Sequence, residues 1–166
     1  MEPQTSSSKI TIGASAAEVW TVLADEFVDI AAWSPGVKSS GPNPATPDGI
    51  NGSRHGGRVA EIEGLGHTDV RITAYDAQHL TLSYTVEAEN IPGFIERITN
   101  TWTVTADGPA SSSLEAMVGI TVAESMSTNE QANKAVEAML AAGTGATNNL
   151  KTYIESDSYQ AGANRG

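Results

Sequence analysis

Between residues 53 and 122 apolar side chains recur mostly at every second position, and no other feature limits the fold as tightly. Leu80, Leu82, Tyr84 and Val86 alternate with Thr81, Ser83, Thr85 and Glu87. Ile98, Asn100, Trp102 and Val104 alternate with Thr99, Thr101, Thr103 and Thr105, and Leu114, Ala116, Val118, Ile120 and Val122 repeat the pattern. Val70, Ile72 and Ala74 form a weaker version. A period of two sends one side of each strand to the interior and leaves a Thr-rich side in water. Gly64-Leu65-Gly66, Asp76-Ala77-Gln78, Pro92-Gly93 and Asp107-Gly108-Pro109 supply the turns, and Gly56-Gly57 predicts a bulge or bend in the third strand. A meander with one apolar face has to bury it, and a single long partner follows. From Thr128 to about Glu155, Ala132, Val136, Met139, Leu140, Gly143, Leu150, Tyr153 and Ile154 make one apolar helical stripe. This order of elements describes an α+β domain.

The first third adds smaller pieces. Ile10 and Ile12 predict a short strand ended by Gly13, after a polar segment 1–7 expected to be frayed. Ser15-Ala16-Ala17-Glu18 is a capping box, in which hydroxyl and carboxylate can each satisfy a free backbone N–H. The helix that starts at 16 is expected to break near Asp25, and Trp33-Ser34-Pro35-Gly36-Val37 closes the helical region. Gly41 to Gly52 holds three prolines and reads as a surface loop. One domain over residues 8–157 is expected, with flexible tails at 1–7 and 158–166.

Composition removes several functions. The 166 residues contain no cysteine, which excludes disulfides, a thiolate nucleophile and Cys-based metal sites. A net charge of −11 argues against nucleic acid and anionic membranes, whose phosphates call for clustered Lys and Arg. No apolar run reaches membrane-spanning length, and Met1-Glu2-Pro3-Gln4 lacks the regions of a signal peptide, so a cytoplasmic location is expected. His55, His67 and His79 lack the i, i+4 spacing of a helical metal site, no metal or other cofactor is expected, and no Gly-x-Ser-x-Gly elbow is present.

Candidate polar and small residues remain. Asn100 interrupts an apolar strand face, as a core amide bonded to backbone or water, or as a group that orients a ligand. Trp33, Tyr84 and Trp102 suit a core or a pocket wall, while Trp20 reads as packing. Arg54 and Arg58 read as surface charges. Ala135, Ala138, Ala142 and Ala146 line one helix side next to Gly143, which permits tight helix–sheet contact or leaves a cavity.

Several short segments together resemble the START and birch-pollen-allergen (SRPBCC) superfamily of helix-grip folds, in particular its polyketide cyclase/dehydrase and lipid-transport branch. The carriers are Ala16-Ala17-Glu18-Val19-Trp20, Trp33-Ser34-Pro35-Gly36-Val37, Gly52-Ser53-Arg54, Asn100-Thr101-Trp102-Thr103-Val104 and Asn149-Leu150-Lys151-Thr152-Tyr153-Ile154-Glu155, spread from about Ile10 to Glu155. The resemblance implies a curved seven-stranded antiparallel sheet gripping the C-terminal helix, two short helices after the first strand, and an apolar pocket between sheet and helix. Plant abscisic acid receptors share this fold. By that likeness Lys38 falls where their ligand-binding lysine sits, Glu63-Gly64-Leu65-Gly66 is similar to their gate loop, and Ile98 and Asn100 take pocket positions, whereas Asp69 does not match their acidic pocket residue. Glu61 is a candidate partner for Lys38.

The expected function is binding of a small, largely apolar molecule such as a lipid or polyketide, as carrier or sensor. Trp33, Lys38, Glu61, Leu65, Tyr84, Ile98, Asn100, Trp102, Ala138 and Ala142 would surround it. The partner is that small ligand alone, with no nucleic acid or membrane insertion, and the protein is expected to be a monomer or homodimer. A second class is a cofactor-free cyclase or dehydratase in which Lys38, Glu61, Asn100 and Tyr84 move protons. Family cyclases also carry polar groups on the long helix; here that side is Ala and Gly. A third, a protein-interaction module, would need an exposed apolar patch.

Overall fold

The structure, a computed structural model, describes residues 3–156. The expected C-terminal tail, Met1 and Glu2 lie outside the described residues. Seven strands form one antiparallel sheet in the order β1-β7-β6-β5-β4-β3-β2. They are β1 (Gln4–Ile12), β2 (Val37–Pro42), β3 (Gly57–Ile62), β4 (Gly66–Asp76), β5 (Thr81–Ala88), β6 (Ile95–Gly108) and β7 (Ser111–Val122). Helix α1 (Ala16–Trp20) leads through a π-helical turn, Thr21–Asp25, and a 3₁₀ stretch, Phe27–Ala32, into β2. The break near Asp25 is found where expected. Helix α2 (Glu130–Ile154) closes the chain, capped by Asn129, whose side chain accepts from the Ala132 N–H at 3.0 Å.

Three local expectations are corrected. Strand β1 begins at Gln4 because Gln4–Ser7 pair with Met117–Ile120, so this polar stretch is not frayed. At the start of α1 the Ser15 hydroxyl accepts from the Glu18 N–H as anticipated, but Glu18 takes the Ser15 hydroxyl at 3.1 Å instead of a backbone N–H. A bulge between Ile72 and Ala74 slips β4 by one residue, which turns Ala74 outward and Tyr75 inward against Trp20. The glycine pair, by contrast, is explained by crowding. A Cβ on Gly57 would stand 2.2 Å from the Val70 carbonyl oxygen and one on Gly56 2.3 Å from that of Asp48.

Helix α2 lies across β1 and β7, not over the middle of the sheet. Polar contacts hold it along β1. Thr147 Oγ1 meets Ser8 Oγ at 3.4 Å, Lys151 Nζ donates to the Thr11 carbonyl at 2.8 Å, and the Gly13 N–H donates to Glu155 Oε2 at 2.7 Å. On β7 the contact is set by Gly143, where an added Cβ would lie 2.6 Å from Val118 Cγ2. Two apolar clusters close the interior. The larger joins the first helical region, most of the sheet, and Leu150 and Ile154. The smaller gathers Ile98, Val118, Ile120, Val122, Val136 and Leu140 around the first half of α2. Between positions 140 and 150 the helix carries no apolar side chain larger than alanine.

The two helix glycines should respond oppositely. Gly145 faces open space, so Gly145→Ala should stabilise by about 1 kcal/mol through helix propensity. Gly143→Leu should cost about 1–3 kcal/mol by overpacking against Val118. Urea unfolding of the two variants measures both. Glu155 is held below the usual carboxylate range by the Gly13 N–H and then by Lys151. A depressed carboxylate stabilises above its unfolded pKa, so this contribution disappears as the pH falls through the acidic range. Stability of Glu155→Gln measured against pH should lose that part of the acid dependence.

Candidate functional site

The gap between the two clusters is a cavity of about 380 Å³, in the range of small-molecule sites. Each inner strand contributes its inward alternation: Arg58, Ala60 and Ile62 from β3, Thr68 and Val70 from β4, Tyr84 and Val86 from β5, Ile98 and Asn100 from β6, Val118 and Ile120 from β7. Ala138, Met139, Ala142 and Gly143 of α2 form the opposite wall, and Ile30, Glu63 and Leu65 complete it. Ala138, Ala142 and Glu63 are solvent-exposed and therefore edge the cavity. The small-residue stripe has a different setting at each position. Gly143 makes tight contact with the sheet, whereas Ala138 and Ala142 are too short to fill the space beside it.

The unexpected occupant is Arg58. Read from sequence as a surface charge, it is buried with 7% exposure. Its Nη1 donates to the Phe27 carbonyl at 3.1 Å, and its guanidinium carbon stands 4.2 Å from the Phe27 ring centre and 5.1 Å from that of Tyr84. Among the described residues no carboxylate pairs with it. Burial pushes the guanidinium pKa down, partly offset by Tyr84. An arginine still keeps its proton, so the cavity wall carries a fixed positive charge.

Tyr84 and Trp102 extend this polar end. Trp102 Nε1 donates to Tyr84 Oη at 3.0 Å, and Arg58 Nη2 reaches the same oxygen at 3.5 Å. Asn100 lines the cavity without a side-chain hydrogen bond among the described residues. Thr68, fully buried, donates to the Gly66 carbonyl at 3.2 Å.

Of the residues predicted from sequence, Leu65, Tyr84, Ile98, Asn100, Ala138 and Ala142 line the cavity. Four stand outside it. Trp33 and Trp102 are buried in the larger cluster, edge to face at 6.4 Å, and Trp102 reaches the site only through Tyr84. Lys38 is exposed at a β2 irregularity between Val37 and Ser39. Glu61 points to the outer face, because β3 sends Arg58, Ala60 and Ile62 inward. There Glu61 Oε1 lies 2.9 Å from His67 Nδ1, a hydrogen bond that holds His67 above the ordinary histidine range. Lys38 and Glu61 therefore do not form the anticipated interior pair. Among the described residues no group of three or more metal-binding side chains comes together.

The chain matches, over residues 3–155, the family described as polyketide cyclase / dehydrase and lipid transport, and it belongs to that family. The helix-grip fold expected from the resemblance is the fold observed. Among solved structures it is similar to the Zhui aromatase/cyclase of a Streptomyces species, with 14% identity, 92% of this chain and 94% of the other covered, and a TM-score of 0.72. Truncated norcoclaurine synthase from Thalictrum flavum gives 14% identity, coverage of 94% and 97%, and a TM-score of 0.68. A START superfamily protein from Mycobacterium smegmatis gives 15% identity, coverage of 88% and 98%, and a TM-score of 0.55. No curated protein matches. At these identities the likeness extends to the fold.

Trp102→Phe should remove the indole donor and leave a small void, costing about 1–3 kcal/mol in urea unfolding.

Proposed function

We propose that this protein encloses one small, largely apolar molecule in the cavity between β3–β7 and α2, as a carrier or sensor. The observation that carries the reading is the cavity itself: about 380 Å³ left open between two closed apolar clusters. A concavity of this size with mainly apolar walls and a few polar groups is the usual form of a small-molecule site. The family's description, which includes lipid transport, supports the same reading. Mostly aliphatic walls supply affinity without strong direction, and Arg58, Tyr84 and Asn100 supply the direction.

A second reading, cofactor-free chemistry of the cyclase or dehydratase kind, is favoured by one observation: Arg58, Tyr84 and Asn100 converge on a mainly apolar cavity that also carries Thr68 and, at its edge, Glu63. Its proton carriers would be Tyr84 and, at the edge, Glu63, since Lys38 and Glu61 lie elsewhere. A docking module has less support, because Met117 is the only large apolar side chain exposed among the described residues.

Titration with the uncharged fluorophore N-phenyl-1-naphthylamine tests the binding reading. Saturable one-to-one binding is expected. Ala142→Trp, which pushes an indole into the cavity from its edge, should weaken it by about tenfold or more while leaving the melting temperature within a few degrees. An absence of saturable binding to the unsubstituted chain overturns the reading.

A further inference from the structure

The partners of Tyr84 determine which way its hydroxyl can act. The oxygen receives the Trp102 indole N–H at 3.0 Å and faces Arg58 Nη2 at 3.5 Å. Both neighbours are donors only. Neither an indole N–H nor a guanidinium offers a lone pair, so neither can accept the phenolic proton. Tyr84 makes no other side-chain hydrogen bond among the described residues, and at 5% exposure it lies on the cavity wall. Arg58 beside it uses two of its five N–H groups on the Phe27 carbonyl and the Tyr84 oxygen, with no carboxylate partner among the described residues. The polar end of the cavity is thus a cluster of unspent donors around a fixed positive charge.

We infer that this cluster selects its ligand by hydrogen-bond sense: it takes an apolar molecule ending in a carboxylate or comparably anionic oxygen, with the Tyr84 hydroxyl as the specificity-determining donor beside Arg58. This rests on the cavity being the ligand site. A carboxylate brings acceptor lone pairs and no proton, which complements the Arg58 and Tyr84 donors, while the Asn100 amide on the same cavity can donate as well as accept. An alcohol spends its own O–H against donors. An ammonium adds repulsion from Arg58. Trp102 acts through Tyr84: its N–H occupies the phenolic oxygen and leaves the phenolic proton free for a ligand acceptor.

The test is displacement of N-phenyl-1-naphthylamine at pH 8 by decanoate, decan-1-ol and decylamine, which share one apolar chain and differ at one end. Decanoate should displace the fluorophore at about tenfold lower concentration than decan-1-ol, with decylamine weakest. Tyr84→Phe should erase most of the preference for decanoate over decan-1-ol, read as the ratio of the two displacement constants within the variant so that any change in fluorophore affinity cancels. The series on the unsubstituted chain decides the acceptor preference even if the variant fails to fold. Trp102→Phe, which frees a lone pair on Tyr84, should improve decan-1-ol relative to decanoate and gives a second check on the tyrosine's part. If the fluorophore binds and the three ligands displace it equally, or decylamine wins, the inference falls while the cavity reading survives. Full preference retained in both variants removes Tyr84 from the role. If the fluorophore does not bind at all, the cavity reading fails first and takes this inference with it.

Discussion

The seating of α2 on β1 and β7 decides the rest of the molecule. Gly143 lets the helix backbone approach Val118, and the contacts to Ser8, Thr11 and Gly13 hold its second half along the first strand. A helix fixed on that side of a curved sheet stands away from β3–β5. Large side chains at its ends close the separation, through Val136 and Leu140 at one end and Leu150 and Ile154 at the other. The intervening alanines cannot. The cavity is therefore a consequence of where the helix is held and of which residues face the remaining gap.

Arg58 is the costly residue in this arrangement. A charge taken out of water loses several kcal/mol of hydration unless partners replace it. Here a backbone carbonyl and two aromatic rings do so in part, and no carboxylate completes the set among the described residues. Such an incomplete shell is weak as a stabilising device and effective as a binding one, because a ligand oxygen can finish it. Neighbouring Tyr84, held by Trp102, belongs to the same unit.

Most of the fold could be read from residue order, because periodicity reports burial directly where one face of a strand differs sharply from the other. The threonines of β6 left no doubt about which side of Ile98, Asn100 and Trp102 is interior. Strand β3 offered no such contrast. Arg58, Ala60 and Ile62 on one face oppose Val59 and Glu61 on the other, so each face carries one charge and some apolar surface. Neighbouring strands settle the facing, and that choice exchanges Glu61 for Arg58 inside the cavity. Lys38 took its pocket position from likeness to the abscisic acid receptors, whereas here it follows the buried Val37 and lies exposed at the irregularity before Ser39. Ala74 shows another effect, since an inserted residue reverses every later side chain and leaves no mark in composition.

What the sequence determined alone was the set of elements, their order and the α+β class, because each follows from local periodicity, capping and turn chemistry. It also placed Asn100 and Tyr84 on an interior face and put small residues on the inner side of α2. Tertiary structure alone decided that the interior stays open and that its buried charge is Arg58, left without a carboxylate among the described residues. Those outcomes depend on contacts between residues distant along the chain. Gly143 meets Val118, Tyr84 meets Trp102 and Arg58 meets Phe27 only once the strands are in register and the helix is docked.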